Sequence, residues 1–540
     1  MTRSAPLPSL VLSACLLGLV LGAAVVPDDA WGQELPWPNG GQVRLDFAPS
    51  FWTWDSRYGE GPSGSEEVEL LGMDLASETL GSGVLPDLVE LENSLGQALG
   101  DPSYRVNLGV SRAFIDQSRL VFPFRLDVGI TDWLSVGSMV PFVRPRTEIT
   151  FALNADSLTA NEGPSPFVTN PTEVIDFLDG LRAVLLDAEA NHPGAPAVSA
   201  AQDYLEALTD AYSHASFFPV EGSSTGVLLQ ERFDELRTEL ADLGVMGLPD
   251  LVPMAQNYMD EEGFREFLRS RRMRAFPLED WTELWSLGDV EIHANVRLLR
   301  GGFEPDSTGA MPRFRYQVGG GLLVRLGTGE QEDPARFFDQ GTGDGQMDFE
   351  GTLFGMLEVA DRVGAWGQVR YGIQNEGEIF RRIASPSAAL PDFSRTAPLK
   401  WTPGNYLELD LNPHVFLTSA MRFGARYRFW SKGEDSYELG DVNPEFQDPA
   451  ELPPADLLNA ETEQRLQELG FSVGYSTVEA HAQGKASMPV HIRATYFHPI
   501  GGSGGQTPKG GRFEAGLTIF KTFWGGGDAT AEAPEEPIGG

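Results

Sequence analysis

The chain has 540 residues with 78 acidic against 39 basic side chains, a net charge of −39, and one cysteine. So strong a negative field excludes recognition of nucleic acid through its phosphates, and a single thiol, Cys15, excludes a disulfide framework. Length alone would suggest several soluble domains, but the chain opens otherwise.

Arg3 precedes an apolar run from Leu10 to Val26, Pro27 breaks it, and Ala30-Trp31-Gly32 offers small residues at the spacing a signal peptidase reads. Residues 1–32 are therefore expected to be a cleavable export signal. Leu12-Ser13-Ala14-Cys15 spells a lipoprotein box, yet the apolar run continues beyond it to Val26, against lipidation. Cleavage after Gly32 leaves a mature chain without cysteine. No later segment has the roughly 18 consecutive apolar residues of a membrane helix, whereas the strands of an outer-membrane barrel need none.

The stretch FRLDVGITDWLSVGSMVPFV, residues 124–143, alternates apolar and polar residues on both sides of a tight Thr131-Asp132-Trp133 turn. The pattern returns at 351–372, turning at Ala360-Asp361-Arg362, and at 411–430, turning at Thr418-Ser419-Ala420. Each hairpin is short-turned at one end and opens at the other into segments rich in Pro, Gly, Asp and Glu. That asymmetry is the mark of an outer-membrane barrel with periplasmic turns and extracellular loops. Alternation places strands at 42–54, 118–130, 134–151, 287–300, 312–327, 346–360, 363–376, 404–417, 419–430, 470–482, 488–498 and 511–524. The count is about twelve, even, with both ends on the short-turn side, provided residues 104–130 form one long, bulged strand.

The expected fold is thus an all-β transmembrane, antiparallel barrel with an α-helical extracellular insertion. Residues 33–151 hold strands one to three and a first long loop, 152–285 the insertion, 286–524 strands four to twelve, and 525–540 an acidic Gly, Ala, Glu and Pro tail expected to be disordered. Within the insertion, Asn170-Pro171 with Glu173 reads as a capping box with proline at the first helical position, followed by Val174, Leu178, Leu181 and Leu185 on one face. Further helices fit 199–213, 225–243 closed by Gly244, and 260–274, with a last one at 454–469 in the loop before strand ten.

The hairpin RLDVGITDWLSVGSMVPFV, the later LGDVEIHANVRLL, and VRLGTG leading into DQGTGDGQMDFEGTL resemble the outer-membrane barrel family of meta-pathway phenol degradation proteins. The resemblance covers residues 120–150 and 286–430. It implies a Gram-negative outer-membrane protein that helps aromatic compounds across; the large helical insertion departs from a compact member of that family.

Other motifs carry less. GGGLLVRLGTG at 319–329 lacks the Lys and Ser/Thr of a phosphate loop, and the carboxylates of GTGDGQMD at 341–348 miss the alternate positions of a calcium loop. No metal or cofactor is expected. His293, His414, His481, His491 and His498 accompany no serine in a nucleophile setting, so no catalytic residue is assigned and a hydrolase ranks last. The basic segment FREFLRSRRMRAF at 264–276 offers contacts to lipopolysaccharide phosphates, with membrane lipid and a small apolar solute as the other expected partners.

The lumen face follows from alternation, since the opposite face must meet lipid. Its rows are Asp289, Glu291, His293, Asn295 and Arg297, then Arg313, Arg315, Gln317 and Arg325, then Asp348, Glu350 and Glu358. Gln368 and Arg370, Glu408 and Asp410, and Arg422, Arg426 and Arg428 continue it. Acidic and basic rows alternate, so cross-strand ion pairs and a constricted lumen are expected. The leading functional expectation is a passive conduit for small hydrophobic or aromatic compounds; the alternative is a non-transporting surface barrel anchoring a helical binding domain.

Overall fold

A computed structural model describes residues 38–60, 66–155, 159–214, 216–303, 312–360, 362–445 and 447–524. The expected export signal, the acidic tail and Asp361 lie outside the described residues.

Twelve antiparallel strands close into a barrel. They are β1 (Gln42–Phe47 continued by Ser50–Glu60), β2 (Ser111–Thr131), β3 (Leu134–Leu153), β4 (Val290–Gly301), β5 (Phe314–Leu326) and β6 (Asp348–Val359), then β7 (Val363–Gln374), β8 (Tyr406–Phe416), β9 (Met421–Lys432), β10 (Gln464–Ser476), β11 (Val490–Ser503) and β12 (Thr507–Thr522). Each pairs with its sequence neighbour, and β12 returns to β1 with Gln42 opposite Thr522 and Ser50 opposite Glu514. Closure leaves no strand edge, which is what lets a sheet sit in lipid. Leu126, Phe349, Leu353, Leu411, Phe471 and Ile492 point outward and exposed, while Asp127, Glu350, Asp410 and Glu468 on the same strands point inward and are buried. No described helix is long and apolar enough to cross a membrane.

The hairpin of β2 and β3 shows how sequence sets the membrane boundary. Its strands are 21 and 20 residues long, about twice the 9–11 that span a bilayer. Near the turn the inward residues are polar, as with Asp127 and Ser135; farther up they become Ala113, Ile115, Ile149 and Phe151, all buried. The same face therefore lines a polar lumen below and packs into an apolar core above.

That outer core joins two chain segments. Helices α1 (Val89–Leu99), α2 (Pro171–Asn191), α3 (Pro196–His214), α4 (Ser224–Asp242) and α5 (Glu261–Arg269) bury Leu95, Leu181, Leu208, Phe233 and Phe264 in one cluster with Ile115 and Phe151 of the hairpin. Phe264 stacks on Phe151 at 5.2 Å and Tyr204 on Phe233 at 5.8 Å. Ser223 caps α4 by accepting from the Gly226 amide, and Gly244 leaves it with φ +85°, a backbone turn that glycine alone adopts cheaply. At Asn170 the expected backbone cap is replaced by a side-chain bond, Nδ2 donating to Glu173 at 2.8 Å.

The first long loop carries α1, a helix not expected from the sequence, and its apolar face completes the core of the insertion. Three expectations are corrected. Residues 104–110 are irregular and β2 begins at Ser111, with a bulge only near its far end between Gly129 and Thr131. No helix spans 454–469: Pro453 and Pro454 limit that stretch to a 3-10 turn at Ala455–Leu458. The helix-favouring QRLQEL is drawn instead into β10, paired on both sides, so the tenth strand covers 464–476 in place of 470–482 and a short helix, Val478–Ala482, follows. Beyond the barrel rim a three-stranded sheet of Gly377–Arg382, Thr396–Thr402 and Ser436–Leu439 extends the loops after β7 and β9, unforeseen in the sequence.

Candidate functional site

Alternation delivers charge to the lumen from every strand but β3, whose inward residues run Ser135, Gly137, Met139 and Pro141, and the structure pairs most of it. Arg325 of β5 reaches Glu291 of β4 at 3.0 Å and Asp348 of β6 at 3.7 Å. Arg315 meets Glu358 at 3.4 Å. Arg370 of β7 donates to Glu350 of β6 at 2.7 Å and stands 3.6 Å from Glu408 of β8. Asp410 takes Arg426 at 2.6 Å and Arg428 at 3.5 Å, and Arg428 lies 3.7 Å from Glu408.

Others of the expected set sit differently. His293 passes over β3 to Asp127 at 2.6 Å, with Arg125 3.0 Å from the same ring nitrogen. Arg422 faces the ring of His491 at 2.6 Å. Arg297 donates to Asn39 at 3.1 Å. Asp289 lies just before β4 and accepts the amides of Gly329 and Asp344, which makes it an anchor for a loop. Arg313 precedes β5 and is exposed.

The strands that close the barrel supply further charges. Glu514 of β12 collects Arg426 at 3.3 Å and Arg428 at 3.5 Å, although β10 and β11 intervene. Arg512 of β12 pairs with Glu468 of β10, and Arg44 with Asp46 at 2.7 Å. Alternation finds these residues too; Arg44 and Asp46 are neighbours on β1, but the pairings of Glu514 and Arg512 are chords that cross two strands and one, and chords are set by barrel curvature.

Above this network the loop at 327–347 folds inward across the mouth. Its carbonyls at Phe338 and Gly341 accept from Gln117 at 2.9 Å and Arg119 at 3.3 Å, both on β2, and Gln340 donates to the Arg146 carbonyl at 3.0 Å. Arg382, 6 % exposed, ties the loop to the outer domain by donating to the carbonyls of Pro334 (2.7 Å), Pro391 (2.7 Å) and Met273 (2.8 Å). Burial lowers its pKa to about 10, so it stays charged. Within the loop, burial and the nearby Asp348 and Asp289 raise Asp344 above the usual carboxylate range. Of the basic segment at 264–276, Arg265 pairs with Glu261, Arg272 with Asp392, and Arg274 covers Phe393 at 4.5 Å.

Between loop and turns lies a cavity of about 300 Å³. Phe354, Trp366 and Met139 give it apolar wall, while Arg44, Arg422 and Arg493 line it from strands β1, β9 and β11.

No protein-family profile matches the chain, and no curated protein matches it. Among solved structures it is similar to the COG4313 outer membrane channel from Pseudomonas putida F1, with 8% identity and a TM-score of 0.39 over 92% of this chain and 100% of that one. A TodX monoaromatic hydrocarbon channel mutant matches with 9% identity and a TM-score of 0.25, over 90% of this chain and 91% of that one. The translocator domain of autotransporter NalP from Neisseria meningitidis matches with 5% identity and a TM-score of 0.28, covering 91% of both. The neighbours are outer-membrane β-barrels with more than one role.

Proposed function

We propose that this protein is a passive conduit for small hydrophobic or aromatic compounds in the bacterial outer membrane, and not an enzyme. The observation that carries the reading is the cavity at the centre of the closed barrel, walled partly by Phe354 and Trp366 and roofed by the loop at 327–347. A pore so crossed by ion pairs rejects porin-sized solutes, while a compartment of about 300 Å³ accommodates one small molecule at a time. The outward apolar face and the asymmetry of short turns and long loops support the membrane and its orientation. The resemblance of residues 120–150 and 286–430 to phenol degradation barrels supports the solute class. Lipopolysaccharide phosphate is the partner proposed for Arg269 and Arg271.

The test is uptake of labelled toluene and phenol into proteoliposomes of the purified chain, with glucose as the excluded control. Uptake of the aromatic compounds above that of protein-free liposomes is expected; uptake equal to theirs overturns the reading. The second reading, a surface barrel presenting a binding domain, draws on the size of the outer core formed by α1 to α5. It takes over if the barrel conducts nothing.

A further inference from the structure

The side chains lining the central cavity present more arginine than carboxylate. Arg44, Arg125, Arg325, Arg370, Arg422, Arg426 and Arg493 face it, against Asp46, Glu291 and Glu350. Asp127 and Asp410, just behind the lining, hold Arg125 and Arg426. Glu514 and Glu408, also behind the lining, meet Arg426 and Arg370, so arginine predominates among the lining side chains themselves, inside a chain whose net charge is −39.

Arg493 is the clearest case. Its Nη1 forms a long ion pair with Asp46 Oδ2 at 3.8 Å, beyond hydrogen-bond range, and that carboxylate already accepts from Arg44 at 2.7 Å. The local sequence makes room for it. Arg422, Gly474, Arg493 and Gly516 follow one another across four adjacent strands in register. A Cβ at Gly516 would come within 2.7 Å of Arg493 Cγ and Nε, and one at Gly474 within 2.8 Å of Arg422 Nε. Each arginine side chain therefore lies over a glycine, along the wall of the cavity.

Further donors converge there. Asn295 Nδ2 lines the cavity, 5 % exposed as a residue, and has no hydrogen-bond partner among the described residues; Trp366 Nε1 is buried and likewise without one among them. The matching orphan acceptor on the lining is Asp46 Oδ1. Buried donors without acceptors are costly unless something bonds them. On the opposite wall Phe354 and Trp366 offer an apolar surface.

We propose that this cavity is a binding site for a small aromatic carboxylate, the carboxylate taken by Arg493 with Arg422 beside it and the ring laid against Trp366 and Phe354. The proposal rests on the conduit reading for its route and deepens it by naming the solute class. Arginine suits the role because its planar fork receives both carboxylate oxygens at once. It also gives the lumen an anion-selective step that the acidic exterior lacks.

The experiment is titration calorimetry of the full-length purified barrel with sodium benzoate, phenol and sodium acetate. Benzoate is expected to bind at least ten-fold more tightly than either of the others. Arg493→Gln is expected to weaken benzoate at least ten-fold and leave phenol unchanged, with Arg493→Lys between. Because Asp46 keeps Arg44, the substitution strands no buried carboxylate, and heat-modifiable migration verifies the fold. Benzoate binding no tighter than acetate removes the ring contact, binding no tighter than phenol removes the carboxylate contact, and indifference to Arg493→Gln removes the site; each overturns the proposal. Toluene uptake without benzoate binding would overturn this proposal and leave the conduit standing, and benzoate binding without any uptake would do the reverse.

Discussion

Removing Arg370 asks whether the lumen network is dry. Glu350 is buried, with a side chain 1 % exposed, and accepts from Arg370 Nε at 2.7 Å, Tyr406 OH at 2.5 Å and Thr352 Oγ1 at 3.2 Å. Arg370→Met leaves that carboxylate charged, with hydroxyl donors as its remaining hydrogen bonds, and takes a cation from beside Glu408. Breaking a buried pair from one side costs about 3–5 kcal/mol; the 23 % exposure of the Arg370 side chain and the surviving hydroxyls place this case near ~3 kcal/mol. Glu350→Gln is milder, about 1–2 kcal/mol, because it preserves shape and leaves Arg370 within 3.6 Å of Glu408. The double variant, with no isolated charge at this pair, should cost less than Arg370→Met alone. Equilibrium denaturation in phospholipid vesicles, followed by tryptophan fluorescence and gel migration, gives all three values. If Arg370→Met falls within roughly 0.5 kcal/mol of the parent chain, water floods the lumen and exposed-pair energetics apply.

Three further outcomes are expected. Glu162, fully buried and bonded to Tyr104 OH at 2.5 Å and the Asn107 amide at 2.7 Å, has its pKa pushed up to about 7, chiefly by burial. A raised carboxyl leaves stability complete below about pH 4.5 and diminished as pH rises toward 7, so the outer domain should be up to ~3 kcal/mol more stable at pH 5 than at pH 8, and Glu162→Gln should flatten the difference in denaturation curves. Deleting 331–343 should convert small, infrequent current steps in planar bilayers into larger steady ones, because the loop across the mouth is then gone; an unchanged conductance would place the constriction in the ion-pair layer. Deleting 170–275 alone should impair assembly by uncovering Leu91 and Leu95 of α1, and removing 79–107 as well should restore a heat-modifiable barrel.

What could be read from the sequence was what two-residue periodicity controls. Leu126 out and Asp127 in, Phe349 out and Glu350 in, are consequences of pleat geometry, and they identified the strands and the charged lumen face together. Parity of short turns gave the barrel its orientation. Periodicity says nothing of distance around the wall, so Glu514 bonding arginines on β9, His293 choosing Asp127, and Arg382 clamping three loops could not be foreseen from alternation within single strands.

The stretch at 464–469 shows which principle prevails when local and tertiary preferences conflict. QRLQEL favours a helix by composition, yet Glu468 is needed inside, where it meets Arg512, and Leu469 outside, where it meets lipid. A helix there would leave β9 and β11 with unpaired edges in the membrane, a cost of several kcal/mol for each exposed amide and carbonyl. Helix propensity differs by well under 1 kcal/mol per residue. The barrel therefore recruits any segment that can put charge inward and an apolar side chain outward. The glycines opposite Arg422 and Arg493 serve the same end: where the next strand gives up its side chain, a long inward arginine can lie along the wall, whereas Arg325 and Arg370 stand opposite carboxylates that pair with them.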